Sequence, residues 1–187
     1  MNEQQEITPA KIALNFGLIS GGIGIIYTLM LYIMGTDKLA SSLWSSISFI
    51  IYIFFMVYAG LNYRKQTGGF LSYRNGLLIS FTTFAITIFL LFMFTYVLYN
   101  FIHPGLSDEI KTKIIENAIE TMQYFGAPDE VIDTQIEQLE KQDFSQTPGN
   151  LIQSFFSFCI FGFIISLIIA AFIKKNQPPF ADNNIQE

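Results

Sequence analysis

The sequence predicts an all-α polytopic membrane protein: four transmembrane helices, with an extracytoplasmic helical hairpin between the third and the fourth. Three observations predict it. Four long apolar runs, Ile12–Met34, Leu39–Leu61, Leu77–Phe101 and Leu151–Ile173, contain no Asp, Glu, Lys or Arg, and each reaches the roughly 20 residues that a helix needs to cross a hydrocarbon core of about 30 Å. The runs are apolar on every side, unlike a helix that faces water. They do not alternate as the strands of a membrane barrel do, and only helices and closed barrels satisfy their backbones in lipid. A composition that is 51% hydrophobic, with 20 Phe, fits such blocks and does not fit a soluble core.

The first run is predicted to be a retained helix, not a cleaved signal. Glu3 and Glu6 precede it where a signal peptide carries positive charge, and the run exceeds a signal core of about 7–15 residues. Basic residues then orient the chain. Lys11 flanks the first run, Arg64, Lys65 and Arg74 fill the turn between the second and third, and Lys174 and Lys175 follow the fourth. Such residues favour the cytoplasm, so both termini and the middle turn are predicted to be cytoplasmic. Tyr32, Trp44, Tyr96 and Tyr99 fall toward one interface and Tyr58, Tyr63 and Tyr73 toward the other, as aromatic belts do.

Residues 104–150 are then an extracytoplasmic acidic insert. The segment between the last two runs holds ten acids and three bases, Lys111, Lys113 and Lys141. Its apolar residues recur with a helical period: Ile110, Ile114, Ala118, Met122 and Phe125, then Val131, Ile132, Ile136 and Leu139. Ser107 is the expected N-cap of the first helix and Gly126 its C-terminal stop. Pro128, followed by Asp129 and Glu130, opens the second helix. The acids occupy helix-surface positions and not a Gly-containing loop of alternating ligands, so they are read as a solvated face and not as a calcium site.

Each span carries a stripe of small or weakly polar residues: Gly17, Gly21, Gly24 and Thr28; Ser41, Ser45, Ser48 and Tyr52; Gly76, Ser80, Thr83 and Thr87; Cys159, Gly162, Ser166 and Ala170. At about 100° per residue each set lies on one face. Small residues let membrane helices approach closely, so Gly17, Gly21, Gly24, Ser45, Gly76, Ser80, Gly162 and Ser166 are the helix-packing candidates. The competing reading is a polar path for a substrate. Cys159 is expected to be a small apolar packing residue.

The spans carry no ionisable acid or base for ion coupling or a proton relay. His103 sits beside Pro104 at a helix end, and the chain has no Ser/His/Asp set, Cys/His pair, P-loop or HExxH. No catalytic, cofactor-binding or metal-binding residues are predicted, and no enzyme activity. In the middle turn, Gly68-Gly69 is a break; Phe70, Leu71 and Tyr73 with Arg74 read as the start of a short interfacial helix, with Ser72 as its cap. Arg64, Lys65 and Arg74 are cytoplasmic docking candidates, although three bases fall short of the 4–8 of a lipid-phosphate cluster and the simpler reading is a positive-inside anchor.

That turn, with Gly68, Gly69, Phe70 and Gly76 leading into the third helix, resembles the middle of a bacterial family called domain of unknown function 4199. The Gly-rich first helix, the long charged insert and the short polar tail follow the same layout. The resemblance implies a small bacterial inner-membrane protein without an assigned activity, associated with envelope or polyprenyl-linked glycan biogenesis. The reading is a non-enzymatic accessory or scaffold subunit. Its expected partners are the lipid bilayer and either another membrane protein or a second copy of itself, not nucleic acid. The alternative is a small oligomeric transporter or lipid-flipping component, distinguished by whether the small-residue stripes face a hydrated cavity or pack dry.

Overall fold

A computed structural model describes residues 8–176; Glu3, Glu6, both extreme termini and the tail beyond Asn176 lie outside the described residues. All named elements are helical, and the described residues hold no strand, only one isolated backbone bridge between Leu71 and Lys175. Four helices are long and apolar enough to cross a membrane, and the chain is a multi-pass membrane protein.

Helix α1 (Pro9–Met34) begins where Thr8 accepts a hydrogen bond from the Lys11 amide, with Pro at its first position, where a missing N–H costs nothing. It stops at Gly35, whose φ of 114° suits glycine alone. The one-turn α2 (Thr36–Leu39) and α3 (Ser42–Gln66) follow. The second span therefore starts three residues later than its apolar run: Leu39 ends α2 and packs beneath the insert.

α4 (Tyr73–Val97) continues as a π-helical turn over Leu98–Ile102. Ser72 caps it by accepting from the Asn75 amide. No separate interfacial helix forms in the turn before it. Leu71 is drawn out of helical geometry by two backbone hydrogen bonds to Lys175, of 2.8 and 2.9 Å, and is 1% exposed.

The insert contains α5 (Leu106–Tyr124) and α6 (Asp129–Lys141), and α7 (Pro148–Ile173) begins before the insert's expected end at residue 150. Ser107 is not the N-cap. α5 starts at Leu106, with Gly105 at the cap position, because Leu106 is fully buried with Leu98 and Ile110 and that burial draws the first turn back. At its other end Gly126, with φ 71°, closes a Schellman turn in which the Ala127 amide donates to Met122 O and the Gly126 amide to Gln123 O. α6 doubles back on α5, so that Lys111 donates to the Glu140 carbonyl. Ile132 is buried, whereas Phe125 and Val131, both assigned to the apolar stripes, are 79% and 52% exposed.

α1 and α4 run in one direction and α3 and α7 in the other, and α4 is the helix against which the other three pack. One core of Tyr52, Met56, Ile79, Phe84, Ile88 and Ile169 fills the middle. Large apolar side chains cover the outside, including Ile33 at 82% and Phe172 at 84% exposure. Apolar surface on that scale is untenable in water and is what lipid requires.

Candidate functional site

Gly17, Gly21, Gly24 and Gly162 sit at close helix contacts. A Cβ on Gly17 would stand 2.7 Å from Ile86 Cβ, and one on Gly21 2.6 Å from Leu90 Cδ1. At Gly24 it would meet the Tyr52 hydroxyl at 3.1 Å, and at Gly162 it would overlap the Phe84 ring. Gly76 faces Ala170 at ordinary contact distance. Hydroxyls reach across the same seams: Ser80 donates to Met56 O at 3.5 Å, Thr83 to Ala13 O and Thr87 to Gly17 O, both at 3.4 Å. Ser166 instead bonds within its own helix, to Gly162 O at 2.7 Å.

Ser45 differs from the rest. It is exposed and lines a crevice, not a seam. α3 makes its contacts lower on that face, through Tyr52, the last residue of the Ser41/Ser45/Ser48/Tyr52 stripe, and then Met56, Ala59, Gly60 and Tyr63, so the stripe packs at its Tyr52 end and not at Ser45. Ser20, adjacent to the stripe of α1, is 1% exposed and its hydroxyl has no hydrogen-bond partner among the described residues. Its spacing was legible, but Gly21 beside it carried the stronger signal.

The three basic turn residues separate. Lys65 and Arg74 are exposed. Arg64 is half-buried, with Nε donating to Gly69 O at 3.2 Å and a terminal nitrogen to Ile173 O at 3.4 Å. It ties the turn to the last carbonyls of α7, where a cation also meets the negative end of the helix dipole. Thr67 completes the knot, its hydroxyl 2.7 Å from Phe70 O. Arg64 is thus a strut of the fold, and only Lys65 and Arg74 are presented to solvent. Replacing Arg64 with Gln is expected to lower the melting temperature in detergent and to speed amide exchange at Leu71 and Lys175, since hydrogen bonds from charged groups carry about 1.5–3 kcal/mol, less where solvent reaches them. Lys65→Gln is expected to change neither.

At the opposite end, polar ties hold the insert. His103 Nε2 lies 3.2 Å from Glu109 Oε1, and its Nδ1 lies 3.4 Å from the Tyr32 hydroxyl. Lys113 bridges Glu116 at 2.7 Å and Asp37 at 3.1 Å, and the hydrogen bonds it donates to Glu116 and then to Asp37 hold its pKa above the usual lysine value. The Asp143 carboxyl is held below its ordinary range by the Ser145 side chain first, then by Asn150 and the Ser145 amide, which fixes the return into α7. The described residues hold no cluster of His, Cys, Asp or Glu that could bind a metal ion.

The family model described as "Protein of unknown function (DUF4199)" matches residues 15–175. No curated protein and no solved structure matches the chain.

Proposed function

The chain belongs to the DUF4199 family, and from that premise we propose that it is a non-enzymatic accessory or scaffold subunit of a complex in the bacterial inner membrane. The observation that carries this reading is the mounting of the insert. α5 is seated on the bundle through Leu98, Leu106 and Ile110, while the tip between α5 and α6 holds out Tyr124 and Phe125, 86% and 79% exposed, with their rings edge to face. A flexible tether needs no buried seat; a rigid arm that presents aromatic side chains is what a docking element requires, because such residues anchor protein interfaces. Close packing at Gly17, Gly21, Gly24 and Gly162 weighs against a hydrated path through a single copy, and so against the transporter reading.

The arm lies outside the cytoplasm in this proposal. Arg64, Lys65, Arg74, Lys174 and Lys175 gather at the other end of the bundle, as the positive-inside rule asks of a cytoplasmic face. In a Cys159→Ser background, Glu120→Cys is expected to react with a membrane-impermeant thiol reagent in intact cells, and Lys65→Cys only after lysis; the opposite pattern inverts the orientation. A photoreactive residue at Phe125 tests the docking role. One discrete cross-linked species of defined mass in living cells is expected, and its absence removes the scaffold reading.

A further inference from the structure

We propose that the crevice between the first turns of α3 and the underside of the insert is a binding site for a membrane lipid with an uncharged, hydroxyl-bearing headgroup. The crevice has a volume of about 670 Å³, within the roughly 300–1,000 Å³ of ligand sites. It exists because α5 rests on α2 and not on α3, which leaves the start of α3 roofed but not filled.

The lining is amphiphilic. Phe49, Ile114, Met122 and Leu139 supply apolar wall, and Ser45, Asn117, Thr121 and Gln135 supply hydroxyls and amides. These four polar side chains make no hydrogen bond among the described residues, so their donors and acceptors are open to a ligand. None of the lining residues is charged, although the segment that forms the roof carries ten acids. An anionic headgroup would find no base in the wall and would face that acidic field, a like-charge placement that costs affinity. An ammonium headgroup would find no carboxylate in the wall. Hydroxyls, which both donate and accept, match serine, threonine and primary amides on both counts.

The place in the fold selects a lipid over a soluble sugar. Ser42–Phe49 open a membrane-spanning helix, so the crevice sits where headgroups meet hydrocarbon. Below it, Ile53 lies one helical turn beyond Phe49 on the same side of the helix, 37% exposed, and offers apolar surface to an acyl chain.

Native mass spectrometry of the full chain in detergent tests this. The probes are dioleoyl monoglucosyl-diacylglycerol and dioleoyl-phosphatidylglycerol at equal concentration. Retention of the glucolipid is expected to exceed that of the phospholipid by about tenfold, the effect of two neutral hydrogen bonds. Asn117→Leu with Gln135→Leu should abolish that preference and leave phospholipid retention and the melting temperature unchanged. Ser45→Ala, at an exposed helical position, should weaken it in the same direction if the double variant is poorly folded. Equal retention of the two lipids, a preference for the phospholipid, or a glucolipid preference that survives these substitutions overturns the proposal. The site needs no protein partner, so its failure and the failure of the docking role are separate outcomes.

Discussion

Gly162→Val is expected to produce a large loss of stability confined to the α4–α7 seam. Phe84 is 1% exposed and its ring lies on the backbone of Gly162, where a Cβ would overlap it. The ring has no easy escape, because Ile79, Ile88 and Ile169 belong to the same buried cluster. Overpacking of this kind costs about 1–3 kcal/mol, and valine adds a side chain that is stiff in a helix. Thermal unfolding in detergent reads the effect. Three companions make the result specific. Gly162→Ala gains helix propensity of up to about 1 kcal/mol but still meets the ring, so a net loss is expected. Phe84→Leu in that background should recover part of it, with a coupling of about 0.5–3 kcal/mol between the two sites. Gly22→Ala should be harmless, because nothing lies within 4 Å of a Cβ there. Equal losses at Gly22 and Gly162, or additive effects of Gly162→Ala and Phe84→Leu, would mean that the close approach is not what limits stability.

The contrast between Gly22 and its neighbours marks what the sequence made legible. Gly17, Gly21 and Gly24 recur at the offsets that keep one helix face toward a partner, and all three are buried; Gly22 falls off that face. Membrane spans are legible for the same reason that they are stable: lipid demands length and uninterrupted apolarity, and both are local properties. Ser45 shares the same spacing yet stays exposed, because the stripe states which residues share a face and not how far along the helix a neighbour covers it. The contact face of α3 continues that stripe from Tyr52 through Met56, Ala59 and Tyr63, so the seam lies further along the helix than its small residues suggest. Arg64 was illegible for another reason. Its partner Ile173 is 109 positions away, and the rule that assigns a basic turn to the cytoplasmic interface does not distinguish a free cation from one spent on a helix end. The Tyr32–His103–Glu109 chain likewise joins α1, the turn after α4, and α5, and appears only once those helix ends meet.

Leu106→Ala is expected to release the insert while leaving the bundle folded. Leu106 and Leu98 are both fully buried, Ile110 is 7% exposed, and Tyr32, Leu39 and Tyr99 pack around them. Truncating a buried leucine costs about 2–5 kcal/mol. The polar ties cannot make up the difference. Lys113–Asp37 has side chains 33% and 71% exposed, and His103–Glu109 33% and 48%, and such exposed pairs contribute about 0–1 kcal/mol. α5 and α6 have little else to hold them, since Ile132 is the buried residue of α6 and short helices are marginal in water by themselves. Amide exchange across 106–141 should therefore accelerate by about 30-fold or more, the lower end of that cost at 1.4 kcal/mol per factor of ten. Exchange in α1, α4 and α7 should hold steady, because their shared core of Phe84, Ile88 and Ile169 is separate from the Leu98–Leu106 cluster. Asp37→Asn should raise exchange in the insert by less than about tenfold. If Leu106→Ala sped exchange equally in the bundle, insert and bundle would be one cooperative unit. If it left 106–141 unchanged, the seat formed by Leu98, Leu106 and Ile110 would not be what holds the arm, and the case for a rigid docking element would fall with it.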